Sequence, residues 1–497
     1  MASARFILVF LLAAMLASLI GCSGSGQFMP DPPPAMQQDF TLSVSPQSTF
    51  LPIGVGSTTV QVSVQAVNGF TQPVSVTISG LPTGVTTSPT LPLSLSAGSN
   101  QTITLSAASG ALPVEQSLSV QAVSGMLNHS ANISLSVAKP SYAYVATGYQ
   151  NQPPYNLAGF SVDANSGNLS AVPGSPVSFS EMALDVEAAT ETGGSFVYAL
   201  IPDSTSQTVS LNSYSVNAAT GTLTPLQTIS YPANTHQTGM LIHPAGTFLY
   251  VTQDTCVLAY QIDPASGNLT QSSCSPITSS TFQGFAIAPP GTYAYQTIGL
   301  PGQPATWYIY SISNSDGSLT QLQTYQTDSW AGGLFPDPQG RALYETLGPI
   351  APNSCGSFAI WQIDTSTGAL NPLATSFSPL CIPMQVAFNP ADTFAFVSSE
   401  TDEDPNVANG IYAATVNSTT GDLTAVSGSP FASSAGAGFG SVEPTQGKFL
   451  LERIGGTASG QIVVFAIDPS TGALSEVSGV AGTLPSKYAL KMVTVAP

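Results

Sequence analysis

The sequence predicts an all-β protein, and three observations carry that expectation. First, the phrase Tyr260-Gln-Ile-Asp-Pro-Ala-Ser-Gly-Asn-Leu269 reads as a strand, a tight turn and the start of a second strand, and it recurs along the chain. Its turn glycines are Gly167, Gly221, Gly267, Gly317, Gly368, Gly421 and Gly472, spaced by 54, 46, 50, 51, 53 and 51 residues. Second, Phe40 to Val137 alternates apolar and polar residues, the period of a half-buried strand. Third, no long stretch beyond the N-terminus has helical apolar periodicity. Repeats of about 50 residues built from short strands are the signature of a β-propeller, one blade per repeat.

Composition narrows function before any motif does. Lys plus Arg number 7 against 26 Asp plus Glu, a net charge of −19. Such a surface repels nucleic acid, which needs a basic footprint, and anionic lipid headgroups. Only 7% of residues are charged, so Ser, Thr, Asn and Gln must cover most of the surface.

Taken in order, the chain opens with Arg5 and an apolar run from Phe6 to Ile20. The run is short for a membrane span of about 20 residues. It ends in Leu19-Ile20-Gly21-Cys22, which resembles the bacterial lipoprotein lipobox. That resemblance implies a signal peptide over 1–21, removal at Cys22, acylation of Cys22 and attachment to the membrane through its lipid. An ordinary signal peptide or a single anchor helix are the alternatives. Ser23 replaces the Asp of the inner-membrane retention signal, which favours the outer membrane in a cell with two. Residues 22–38 contain Asp31-Pro-Pro-Pro34 and no hydrophobic pattern, and read as a tether.

Residues 39–138 carry strands such as Thr59–Ala66, Val74–Ile78, Gln101–Ser106 and Ser117–Ala122, separated by turns at Asn68-Gly69 and Leu81–Gly84. About seven strands in roughly 100 residues predict an Ig-like sandwich. It contains no Cys. Glu115 and His129 are its lone acid and base after Phe40, and His129 reads as a surface or edge-strand residue. A spacer or adhesion role is expected here.

Residues 139–497 form the propeller. Each repeat has an apolar strand ending near Pro, as in Met240–Gly246, then a strand with an aromatic pair, as in Phe248-Leu-Tyr-Val251. A variable loop and the turn phrase follow, giving four strands per repeat. The chain enters at Ser141–Val145, matching a second strand, and leaves at Lys491–Pro497, matching a first strand. The C-terminus should therefore complete the first blade, leaving seven blades with no open edge at the seam.

Phe248–Val251 followed by Tyr260–Leu269 resembles the lactonase-type seven-bladed propellers, the 6-phosphogluconolactonase-like and YVTN-repeat group, over about Pro140 to Pro497. The resemblance implies that fold and, as one activity, hydrolysis of a lactone as a carboxylic ester. Its motifs are strand and turn residues and specify fold rather than chemistry. Members tend to carry a His a few residues before the first-strand Pro, where this chain has Thr238, Gln283, Gly332, Met384 and Gly438. A phosphorylated lactone also needs clustered cations. Beyond Pro140 the chain has only Arg341, Lys448, Arg453, Lys487 and Lys491, and 6-phosphogluconolactone is cytoplasmic whereas the chain looks exported.

Cys256, Cys274, Cys355 and Cys381 allow three pairings. Cys256 and Cys274 flank one turn almost symmetrically and Cys355 and Cys381 flank another, so two local bridges are expected in an oxidising compartment. Free thiols or a metal site are the alternatives, and three His with no Cys-x-x-Cys argue against zinc. Glu400–Asp404 is the densest charge run. Asp402 and Asp404 could hold Ca²⁺, but the spaced ligand pattern is missing and a solvated loop fits better. No cofactor is implied.

Propellers bind ligands at the axis, on the face built by loops before the first strand and after the second. Candidates there are His236, Glu345 and Arg453 as proton carrier, base and oxyanion stabiliser, and Trp330, Glu452 and Lys487 as binding residues. The competing reading is unrelated loop residues. His243, before Pro244, reads as structural. The sequence thus favours a lipid-anchored envelope protein whose propeller binds a small ligand or a protein or glycan partner without catalysis. A lactonase-type hydrolase is the alternative, and a scaffold subunit of an envelope complex the third reading.

Overall fold

The computed structural model of the protein describes residues 36–149, 152–191, 193–232, 237–253, 255–277, 282–299, 305–326, 331–347, 357–374, 383–399, 410–432, 438–454, 460–485 and 489–497. Cys22, His236, Trp330, Cys355, Cys381, Asp402, Asp404 and Lys487 lie outside these residues.

Two sheets form between Asp39 and Ala138. One orders Asp39–Ser45, Ser57–Val67, Asn100–Ala107 and Val85–Ser88. The other orders Ser48–Pro52, Leu127–Ala138, Val114–Ser124, Val74–Ser79 and Leu93–Leu95. There are nine strands rather than about seven. Ser48–Pro52 and Val85–Ser88 are too short to show alternation, and the first is recruited by parallel pairing with Ser134–Ala138. The predicted apolar faces close on one core that includes Phe40, Val62, Ile103, Leu118 and Leu135, each fully buried. His129 sits on an edge of this core. Its Nε2 lies 2.8 Å from Asp39 Oδ1, and its ring meets Phe40 edge-on at 4.6 Å.

After Pro140, seven antiparallel sheets follow one another among the described residues. Their innermost strands are Ala489–Val495, Asp185–Glu191, Gln237–Ile242, Phe282–Ala288, Ala331–Pro336, Pro383–Phe388 and Phe439–Val442, and we number the sheets one to seven in that order. Each innermost strand touches the next, and the last touches the first, so they surround an axis. Sheet one joins the two ends of the array. Ser141–Tyr149 pairs with the C-terminal strand, setting Tyr144 opposite Val493 and Ala146 opposite Lys491. Sheets one and six carry an extra short strand, Val177–Phe179 and Phe431–Ala432, beyond the expected four.

The sequence phrase explains how sheets pack. Asp263 Oδ1 accepts the backbone N–H of Ala265 and of Ser266, each at 2.9 Å, which closes the turn. Gly267 then adopts φ +71°, where a side chain is strained, and a Cβ there would lie 2.2 Å from Phe196 Cδ1 of the preceding sheet. The aromatic pair of the second strand is the other half of this contact. Phe196 covers the glycine, and Tyr198, two residues on and on the same face, donates its hydroxyl to the Gly267 carbonyl at 3.2 Å. Tyr295 makes the equivalent bond to Gly368 at 3.1 Å.

Further latches join sheets below these turns. His243 is buried, donates from Nε2 to the Gly291 carbonyl (3.0 Å) and accepts the Ala245 N–H at Nδ1 (3.1 Å). Burial lowers its pKa, so it is a neutral structural tautomer, as expected. Arg341 links sheets five and six through Asp337 (2.6 Å) and Asp392. The sandwich is braced against sheet seven. Gln446 Nε2 donates to Ser136 Oγ at 2.7 Å, and Lys448 pairs with Glu115.

Cys256 and Cys274 are joined in sheet three. They are not directly opposite, as the symmetric spacing suggests. A bulge between Ala259 and Tyr260 shifts the register, so Cys274 faces Leu258. Cys256, two residues from Leu258, shares its face, and the bridge runs diagonally.

Candidate ligand site on the propeller axis

The innermost strands deviate from regular pairing at one level. Register slips between Gln237 and Gly239, Phe282 and Gly284, Ala331 and Leu334, Pro383 and Gln385, and opposite Ala146 and Thr147. A bulge leaves a residue unpaired and re-aims the chain, a device common beside binding sites. The bulges fall at Thr238, Gln283, Gly332-Gly333, Met384 and Leu490. Four of the positions that the family resemblance singled out are therefore bulge positions.

One step along, Lys491, Asp185, Gly239, Gly284, Gln385 and Phe439 are paired with Ala146, Leu200, Thr252, Thr297, Ser398 and Arg453. In sheet five the Gly333 N–H bonds Thr346 Oγ1 at 2.9 Å at the same level. Sheets three, four and five thus present only glycine here, and the functional groups come from sheets six, seven, one and two.

The charged part is Lys491. Its Nζ lies 2.8 Å from Asp185 Oδ1 and 2.5 Å from Glu187 Oε1. Asp185 also accepts the Met240 N–H of sheet three at Oδ2 (2.6 Å), which fixes its carboxylate. Gly239 permits that reach, since a Cβ there would crowd the same oxygen at 3.2 Å. Burial works against the Lys491 charge, but the two carboxylates outweigh it and raise its pKa above the ordinary value. Burial also raises Glu187, against the pull of Lys491. Lys491 stays 36% exposed while its partners are mostly covered. An ammonium has three donors, so with two engaged, one can serve a ligand. A protonated Lys of this kind is a hydrogen-bond donor and not a nucleophile.

Behind the innermost strands lie two buried acids at equivalent places in the repeat. Glu452 accepts the Gly438 N–H at 2.6 Å and the Ser398 hydroxyl at 3.0 Å. Glu345 accepts Trp361 Nε1–H at 2.9 Å, and its other oxygen has no hydrogen-bond partner among the described residues. Both are fully covered, and burial pushes each up to about 7.

The other sequence candidates fall as follows. Glu345 is in the seam facing sheet four. Arg453 is on sheet seven, its guanidinium 5.1 Å from the Phe439 ring centre and its charge lowering the Glu452 pKa. Sheet six stands between them. The Asp185–Glu187–Lys491 cluster escaped sequence reasoning because its members lie about 300 positions apart. Among the described residues no group of three His, Cys, Asp or Glu is placed to hold a metal, and no helix is long and apolar enough to cross a membrane.

No family model matches the chain, and no curated protein matches it in sequence. Solved structures do match. One is a provisionally designated 6-phosphogluconolactonase from Bacteroides uniformis, with 16% identity and a TM-score of 0.54, aligned over 72% of this chain and 100% of that one. Its counterpart from Bacteroides fragilis gives 15% identity and 0.52 over 72% and 98%. The fold is a lactonase-like β-propeller. At this identity the likeness concerns the architecture, and the chemistry of the lactonase-like propeller must be argued from its own axis.

Proposed function

We propose that the protein is a lipid-anchored component of a bacterial cell envelope. Acylated Cys22 and the tether at 24–38 hold an Ig-like spacer, which carries a seven-bladed propeller. The loop-side mouth of the axis binds an unphosphorylated small ligand, or a loop of a partner, without turning it over. The observation that carries this reading is the state of four basic residues of the propeller among the described residues. Lys491, Arg341 and Lys448 are each already paired with carboxylates, and Arg453 lies between Phe439 and Glu452. A phosphorylated sugar would meet a neutralised Lys491 on a chain of net charge −19. Hydrolysis of an unphosphorylated lactone is the second reading, favoured by two acids, Glu345 and Glu452, held near pH 7.

Two assays test the proposal. The Cys22→Ser chain should leave the membrane fraction and lose incorporation of labelled fatty acid; unchanged membrane retention would refute the anchor. Thermal-shift titration with matched sugars and lactones, with and without phosphate, should stabilise the protein only with unphosphorylated compounds. Lys491→Met should remove that effect. Stabilisation by the phosphorylated members alone would refute the binding reading.

A further inference from the structure

A cavity of about 390 Å³ opens at the other end of the axis, where first strands turn into second strands. Innermost strands of sheets six, seven and one wall it, together with the turns that follow in sheets five, six and seven. Its volume falls in the range of small-molecule sites. No charged side chain lines it.

The polar residues of the lining are Gln385, Asn389, Ser441 and Thr494, and Asn389 is engaged within its own turn. Thr494 Oγ1 donates to the Val442 carbonyl at 3.2 Å and lies 2.9 Å from Ser441 Oγ. With the Thr494 proton committed to the carbonyl, Ser441 donates to Thr494, and the Ser441 lone pairs remain as acceptors. Gln385 brings a donor and an acceptor on one amide. Gly440 adds bare backbone, because a Cβ there would lie 2.4 Å from Glu452 Oε2 behind it. The apolar groups are Pro338, Phe388, Pro390 and Pro444 at the rim. The rim is held in place. Asn389 bonds Thr393 and Phe394 across one turn, and the turn containing Pro444 is braced on the sandwich through Gln446 and Ser136.

We propose that this cavity is a second binding site, for a neutral hydroxylated ring, that is, an uncharged sugar. A hydroxyl both donates and accepts, which suits Ser441 and Gln385 together, and the apolar face of a pyranose suits prolines and Phe388. The absence of charged side chains in the lining disfavours phosphates, amines and carboxylates. The site opens at the end of the axis opposite the loop-side mouth and reaches inward to Gln385, at the level of Lys491, but Lys491 is not among its lining residues.

The test uses the full chain carrying Cys22→Ser, with glucose, galactose, N-acetylglucosamine and maltose as probes. Saturation-transfer NMR and calorimetry measure binding, and hydrogen exchange locates it. At least one probe should bind saturably and protect 383–390 and 439–445. Ser441→Ala and Gln385→Leu should each weaken it by about fivefold, the effect of one hydrogen bond, while Lys491→Met leaves it unchanged. The exchange map on the unmutated protein locates the site even if a variant folds poorly. No saturable binding by any probe would overturn the proposal. So would binding that protects other segments and is weakened by Lys491→Met alone.

Discussion

The ring of Phe449 lies against Gly167. A Cβ on Gly167 would stand 2.9 Å from Phe449 Cδ1, so the contact requires glycine. Gly167 belongs to the turn of sheet one and Phe449 to the second strand of sheet seven. Phe196 on Gly267, Phe248 on Gly317 and Phe394 on Gly472 make the same contact between consecutive sheets. The Phe449–Gly167 copy joins the last sheet to the first and, with the C-terminal strand, closes the ring.

Substitution at this contact should therefore destabilise strongly. Phe449→Ala should lower unfolding stability by about 3–5 kcal/mol, the range for a buried aromatic. Gly167→Ala should cost about 2–3 kcal/mol through overpacking and its φ of +72°. In a double-mutant cycle the two losses should not add, because truncating Phe449 removes the clash. Additive losses by chemical denaturation would show that the residues do not meet.

Stability should fall as pH rises from 5 to 7.5. Burial keeps folded Glu345 and Glu452 protonated up to about pH 7, while the unfolded chain releases those protons near 4.5. The folded state holds more protons between those values, so each residue removes up to about 3 kcal/mol as the pH crosses them. Asp392, raised by burial to about 6, adds to the same slope, and Glu345→Gln should remove only the share that Glu345 contributes. Asp468 titrates in a separate window, because hydrogen bonds from Ser470 and Thr471 hold it near 2. A flat profile over pH 5–7.5, measured by thermal denaturation, would contradict the burial of these acids.

Removing the bridge in sheet three should be felt. Cys256 and Cys274 are 18 positions apart. The double Cys→Ala variant should lose about 3 kcal/mol, as expected for closing a loop of that length. An equal loss on adding reductant to the unmutated protein would assign the effect to this bond.

Lys491→Met strands Asp185 and Glu187 together. Lys491 is about a third exposed, so the loss is discounted from that of a fully buried pair, to about 1–3 kcal/mol at neutral pH. Asp185→Asn/Glu187→Gln in the same background should recover part of it. No recovery would mean that the carboxylates do not depend on the lysine.

The repeat was legible because six of the seven turn glycines meet an aromatic ring of the neighbouring sheet, Gly421 meeting Ala342 instead, so packing writes the contact into the sequence at a nearly fixed spacing. The closing strand was legible for the same reason: Ser141–Val145 and Lys491–Pro497 are fragments of one grammar. The axial level was not. A bulge adds a residue without any marker of its own, so comparing positions before the first-strand Pro led to the bulge positions and passed over Lys491. Asp185 met Lys491 only through the closure of the ring. The offset of Cys256 from Cys274 was hidden by a bulge as well. Glu345 and Glu452 stood out as charges in strands, and only the structure shows them covered.

Lactone turnover by the purified Cys22→Ser chain tests the central claim most directly. The substrates are 6-phosphogluconolactone and matched unphosphorylated lactones, with Lys491→Met and Glu345→Gln variants alongside. The account predicts no rate above spontaneous hydrolysis for any protein on any lactone. Turnover that either variant abolishes would contradict it and make the axis a catalytic centre.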